Sequence, residues 1–247
     1  MQIILFIKSI LFIVRRFINN KFLKQNYIVS RAACLVNDSF NMLSNRNHRI
    51  NFQKSRADVL NINFSKRIKP KIIDVRYVQD FLYSVYLEQY FDFWKNIPKT
   101  DFFIMDSYSE LTDQLFVNYK SENLFCSNYS DVDKKALDHY NCKGLLEKND
   151  IEKEYSKLFK NLRLLNKDLK IIYVFFPIIN ETRANFINQN AAIINAINNL
   201  MNEHKLIVIK IPNDILKKNK IGEFPYHYNK EVYDFLSKKL NYLLKAK

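Results

Sequence analysis

Tyr27-Ile28-Val29-Ser30-Arg31-Ala32-Ala33-Cys34 runs directly into Leu35-Val36-Asn37-Asp38-Ser39-Phe40. An apolar stretch ends on two alanines and a cysteine, then gives way to helical spacing. A short strand that feeds a helix is the unit from which open α/β sheets are wound. The same alternation recurs downstream. Strands are expected at 27–34, 59–64, 102–106, 170–176 and 205–211, and helices at 73–94, 151–165, 183–204 and 230–244. Pro177 and Pro212 each stop a strand, because a residue without an N–H cannot extend the ladder, and Asp101 and Asp106 bracket the central one. The pattern predicts a three-layer α/β/α domain over 26–247, built on a mostly parallel five-stranded sheet. The polar segment 119–149, with Asn128, Ser130 and Asp131 as a helix-start signal, reads as an insertion over one face.

Composition removes several classes of function. The apolar content of 48%, with 15% aromatic, suffices for a packed core and excludes a disordered chain. Gly144 and Gly222 are the only glycines, so neither the glycine-rich dinucleotide turn nor the phosphate loop of NTPases can be written here. Cys34, Cys126 and Cys142 are odd in number and form neither a C-x-x-C pair nor a zinc set with the four histidines. A reducing, cytoplasmic setting without a bound metal is expected.

The net charge of +14 is concentrated at one end. Residues 1–76 hold 15 Lys and Arg against the three acids Asp38, Asp58 and Asp74, so +12 of it lies in the first third. Such a field attracts an anionic partner: acidic polysaccharide, acidic lipid or nucleic acid. No helix-turn-helix, zinc or RNA-binding signature accompanies it, which leaves nucleic acid the least supported of the three. Residues 1–25 form an expected amphipathic helix, with Ile3, Ile7, Ile10, Val14 and Phe17 on one side and Lys8, Arg15 and Asn19 elsewhere on the wheel. It suits the inner face of a membrane, its own domain or a partner subunit.

Ligands of open α/β sheets bind beyond the carboxyl ends of the strands. Four segments lie there: Cys34 with Asn37 and Asp38, then 106–110, then 177–180, then Tyr226-His227-Tyr228. Histidine is the usual general base near neutral pH. His48 falls in a basic loop, His139 in the polar insertion and His204 near a helix end, so His227 is the expected base. Two nucleophiles compete. Cys34 starts a helix, where the N-terminal dipole and neighbouring Arg31 would lower a thiol pKa, and Ser107 follows the apolar run 102–105, where its hydroxyl would emerge at the active edge.

These residues resemble the SGNH (GDSL-like) hydrolases and acyltransferases, in particular a bacterial group found among capsule and surface-polysaccharide genes. The group's G-S-C-x-x-R-D-x-F is matched by 32–40, which keeps Cys34, Asp38 and Phe40 and replaces the glycine, serine and arginine. Its I-D-x-x-D-E-R is similar to 104–110, which keeps Asp106 and Glu110, and its P-F-H-Y is matched by Pro225-Tyr226-His227-Tyr228. The resemblance implies an SGNH/flavodoxin-like fold with the nucleophile after the first strand, at Cys34, and the histidine just before the last helix, at His227. An alternative alignment reads 105–109 as the G-D-S block and Ser107 as nucleophile.

The activity implied is transfer of an acyl group to a sugar hydroxyl, or its removal, in surface-polysaccharide synthesis. Asp106, Asp214 or Glu223 would orient His227, and backbone N–H groups after Cys34 would stabilise the oxyanion. Asp38, Glu110, Asn180 and Tyr226 are expected against the substrate. No cofactor is expected to be bound, with acetyl-coenzyme A as a donor substrate and a sugar or anionic polysaccharide as the other partner. A non-catalytic docking protein of the same fold is the competing expectation.

Overall fold

A computed structural model describes residues 26–43, 47–66, 93–121, 124–217 and 226–245. The expected helix at 1–25, nearly all of the one at 73–94, and both Glu223 and Pro225 lie outside them. In chain order the elements are β1 (Tyr27–Arg31), α1 (Cys34–Asn41), β2 (His48–Asn51), α2 (Ala57–Lys66), α3 (Phe93–Asn96), β3 (Phe102–Asp106) and α4 (Tyr108–Thr112). There follow β4 (Gln114–Asn118), β5 (Leu124–Ser127), β6 (Tyr140–Gly144), α5 (Lys148–Leu165), β7 (Lys170–Val174), α6 (Ala184–Leu200), β8 (Ile207–Ile209) and α7 (Lys230–Lys245).

The five-stranded sheet has the order β2-β1-β3-β7-β8, and every pairing in it is parallel. Helices cover both faces, as the alternation predicts: α1 packs with α7, and α5 lies between α2 and α6. The central strands are buried on both sides, with Ile28, Val29, Phe103, Ile104, Ile172 and Tyr173 fully enclosed. From β1 the chain steps outward to β2, then returns across β1 to β3 and continues the other way. The order therefore reverses between β1 and β3, and a crevice opens where their carboxyl ends diverge.

Two expectations fail for physical reasons. Residues 59–64 form part of helix α2, not a strand. The alternation of Leu60, Asn61, Ile62, Asn63 and Phe64 mimics a half-exposed strand, but Asn61 is buried in the contact with α5. There it donates to the Glu154 carbonyl at 2.9 Å and accepts from Asn161 at 3.0 Å. The second strand is instead β2, whose four residues are all half-buried and carry no apolar run. The helix-start signal in the insertion opens no α-helix, only 3₁₀ turns at Tyr129–Asp131 and Lys134–Asp138. Asn128 does cap a turn, over Tyr129–Asp131, but the segment folds as an antiparallel sheet of order β5-β4-β6. Among the described residues no helix is long and apolar enough to cross a membrane.

One ion pair sits at the centre of the domain. Arg31 ends β1 and Glu110 lies in α4, and both are almost fully enclosed, 1% and 0% exposed. The guanidinium grips the carboxylate with both terminal nitrogens, one at 2.7 Å. It also donates to the carbonyls of Ser55 (2.7 Å) and Asp106 (3.0 Å). Glu110 in turn accepts from the Ala57 N–H at 2.8 Å and from the Tyr155 hydroxyl at 3.0 Å. Burial works against the guanidinium's charge, but Glu110 outweighs it and the pKa of Arg31 is raised. Removing one partner of such a pair strands the other charge in the interior, at a cost of about 3–5 kcal/mol. Glu110→Ala is therefore expected to lose that much stability in urea unfolding. Lys230→Ala, which breaks an exposed helical pair with Asp234, should leave the midpoint where it is.

Candidate active site

Four parallel strands deliver their carboxyl ends to one place. Ala33 and Cys34 follow β1, Gln53 and Lys54 follow β2, Tyr108 and Ser109 follow β3, and Phe176 follows β7. Together with Tyr226 and His227 they line a cavity of about 190 Å³. The expected base and one expected nucleophile thus share one chamber, brought together from opposite ends of the chain.

Cys34 is exposed and opens α1. The N-cap position is Ala33, whose side chain caps nothing, so the first-turn N–H groups keep no side-chain acceptor of the usual kind. The start of the helix is held from below instead. Asp106, 1% exposed, accepts from the Ala33 N–H at 2.8 Å through one oxygen and from the Tyr108 N–H at 3.0 Å through the other. Burial raises its pKa to about 7 against the help of those two donors. With both oxygens engaged on backbone, Asp106 positions the loop that carries Cys34.

The thiol is not pre-ionised by its surroundings. Burial pushes the Cys34 pKa up, Asp38 one helical turn away adds to this, and its own N–H and the Lys54 ammonium act in the opposite sense. The expectation that Arg31 would lower it fails because that guanidinium faces inward onto Glu110. Lys54 owes its place to an unusual backbone, with φ at +52°, in the left-handed region that only glycine adopts cheaply. Cys126 clasps this turn, its thiol donating to the Lys54 carbonyl at 2.7 Å and its sulfur accepting the Arg56 N–H at 3.2 Å. The Lys54 ammonium also bonds Asp131 of the antiparallel insertion, which ties that sheet to the cavity.

His227 is exposed, and both of its neighbours are pinned. Tyr226, 4% exposed, donates to Glu181, while Arg183 donates to the Tyr226 hydroxyl at 3.0 Å and grips Glu181 at 2.7 and 2.8 Å. The Arg183 hydrogen bonds, with help from Tyr226, hold the Glu181 carboxyl down at about 2. Tyr228 donates to the Pro177 carbonyl from the other side. The loop after β7 thereby fixes the turn that presents His227. Tyr108, Phe176 and Tyr226 meet edge-on or tilted, 5.0–5.7 Å between ring centres, and form the aromatic wall.

Other expected site residues lie elsewhere. Ser107 is fully buried, and its hydroxyl accepts the Phe176 N–H at 3.1 Å. It braces β3 against the end of β7, which removes the alternative nucleophile and the alignment built on it. Glu110 is the interior partner of Arg31 and does not meet substrate. Asp38 is exposed on α1, outside the cavity lining, and acts on Cys34 only through its charge. Asn180 sits half-buried in the turn after β7 and does not line this cavity. Asp214 lies exposed in the turn Asn213–Ile215, also apart from it. Sequence reasoning missed Gln53, Lys54, Phe176, Glu181 and Arg183. A Glu-x-Arg step four residues past the strand-ending Pro177 was the signal available for the last two. Among the described residues, no three His, Cys, Asp or Glu side chains converge to hold a metal.

No family model matches the sequence, and no curated protein does. Solved structures overlay at low similarity. A family two carbohydrate esterase from Clostridium thermocellum, in complex with cellohexaose, is 12% identical with a TM-score of 0.45, over 89% of this chain and 63% of that one. A salicylyl-acyltransferase from a tetracycline biosynthetic pathway is 8% identical with a TM-score of 0.41, over 90% and 56%. A family 3 carbohydrate esterase from Talaromyces cellulolyticus is 12% identical with a TM-score of 0.40, over 90% and 98%. The chain thus spans less than two thirds of the first two, and likeness at this level assigns no residue a role.

Asp113 supplies a pH test of this wall. It is fully buried, takes a hydrogen bond from Ser109, and one of its oxygens has no partner among the described residues. Burial raises its pKa from 3.8 to about 6. A carboxyl raised on folding stabilises the native state below its unfolded pKa, and that contribution is lost as pH climbs through the folded value. Stability should fall between pH 4 and pH 6. Asp113→Asn, neutral throughout, should narrow the gap between the unfolding free energies measured in urea at pH 4 and pH 7, by on the order of 1–3 kcal/mol.

Proposed function

We propose that this chain transfers an acyl group to, or removes one from, a sugar hydroxyl, with Cys34 as nucleophile and His227 as its base. The carrying observation is the shared cavity, in which a cysteine at an uncapped helix start meets a histidine whose two neighbours are both anchored. Because burial holds the thiol protonated, the reaction needs a base. His227 takes the Cys34 proton as the sulfur attacks the acyl carbonyl. The developing oxyanion lies against the first-turn N–H groups of α1, with the Lys54 ammonium on the same side. Collapse breaks the bond to the leaving group, which takes the proton from His227, and leaves a thioester on Cys34. A sugar hydroxyl or water, deprotonated by His227, then attacks that thioester and restores the thiol.

The aromatic wall of Tyr108, Phe176 and Tyr226 suits a sugar ring, and the basic first third of the chain suits an acidic polymer. Together with the motif resemblance, these features support surface polysaccharide as the acceptor class. The test is intact-mass spectrometry after incubation with p-nitrophenyl acetate. Wild type should carry one acetyl group, Cys34→Ala none, and His227→Ala should acylate roughly 10²–10⁴-fold more slowly. Wild-type protein that neither hydrolyses the ester nor acquires an adduct would overturn the reading.

A further inference from the structure

A second cavity, of about 590 Å³, opens beyond the carboxyl ends of β7 and β8. That is within the range of roughly 300–1,000 Å³ typical of small-molecule sites. Phe176 lines both this cavity and the one that holds Cys34, so the two share a wall. Most of the lining is aliphatic, with Pro177, Ile178, Ile194 and Ile211 among it. Two side chains interrupt it. Asn190, from α6, is 7% exposed and its amide oxygen has no hydrogen-bond partner among the described residues. Lys210, just past β8, is exposed and holds its ammonium 5.4 Å from the centre of the Phe175 ring.

A buried amide oxygen without a donor is costly unless a ligand supplies one. The matching ligand is an aliphatic chain with an N–H inside it and an anion at one end. A sugar fits badly, since its hydroxyls would lose water against isoleucine and proline. A fatty acyl chain has no N–H to offer Asn190. A phosphopantetheine arm has every feature required: methyl and methylene groups for the wall, secondary amides for Asn190, a phosphate for Lys210, and a thioester at its far end.

We propose that this cavity holds the phosphopantetheine arm of an acyl-thioester donor, an assignment that rests on the acyl-transfer reading above and makes the chain a transferase. The arm reaches past Phe176, so that its thioester carbonyl meets Cys34, and the sulfur attacks as His227 takes its proton. The donor's carbon–sulfur bond breaks, and its thiol leaves with the proton held by His227. The acyl group then resides on Cys34 until the sugar oxygen takes it.

Calorimetric titration of the full chain with coenzyme A, and with adenosine bisphosphate lacking the arm, tests the assignment. Coenzyme A should bind at least about tenfold tighter than the bisphosphate, and Asn190→Leu and Lys210→Ala should each weaken it by roughly 3–10-fold. Lys210 is exposed, so its replacement leaves the core intact even where Asn190→Leu perturbs folding. Equal affinity for both ligands would mean general attraction of polyanions to a chain of charge +14 and would overturn the proposal, as would unchanged binding by both variants. Wild type that hydrolyses p-nitrophenyl acetate but ignores coenzyme A sinks this site and leaves an esterase. Tight binding that depends on Asn190 and Lys210, without any ester hydrolysis or adduct, sinks the reaction and leaves the site.

Discussion

The Arg31–Glu110 pair is the constraint on which the remainder of the domain turns. Its guanidinium ends the first strand and its carboxylate sits in the short helix after the central strand, so one interaction fastens β1 to the chain leaving β3. Its other hydrogen bonds reach Ser55, Ala57, Asp106 and Tyr155, which places the β2 exit, the start of α2 and helix α5 on the same knot. A buried ion pair is weak evidence for stability by itself, because hydrophobic replacements often do as well. What it supplies here is register. The carboxyl ends of the two strands flanking the crevice cannot drift apart without stranding a charge in the core.

The cavity inherits that precision. Asp106, whose carbonyl is bound by Arg31, uses its own carboxylate to hold the turn that launches Cys34. On the far side the Glu181–Arg183–Tyr226 cluster and the Tyr228–Pro177 hydrogen bond fix the turn bearing His227. Neither cluster touches the chamber's contents through its charged groups, and both place groups that do. The arrangement also keeps the thiol's pKa raised. The burial that orders the cysteine loop raises its thiol, and the nearest arginine is committed to the interior.

The α/β alternation was legible because β1, β3 and β7 are largely buried and each carries a short apolar run, at 27–29, 102–105 and 171–174. Strand β2 was not, since an edge strand of His48, Arg49, Ile50 and Asn51 has no hydrophobic signature. Helix α2 misled because Asn61 is buried and satisfied by α5, whereas polarity in sequence suggests exposure. The same ambiguity decided the site. Cys34 and His227, read from their positions at strand and helix ends, line one cavity. Ser107 and Glu110 occupy equally favourable positions, but their polar groups turn inward to partners far away in sequence, Phe176 and Arg31. Position selects the edge of the sheet. Only the three-dimensional partner of each polar atom shows which side it faces.

The central claim is that Cys34 and His227 act on one another. It is tested most directly by the pH dependence of Cys34 alkylation with iodoacetamide, followed on the Cys34 peptide in wild type and in His227→Ala. Wild type is expected to react faster near neutral pH than the variant, with a pH profile that changes when the imidazole is removed. Identical profiles in the two proteins would show that the imidazole does not reach the thiol, and would contradict it.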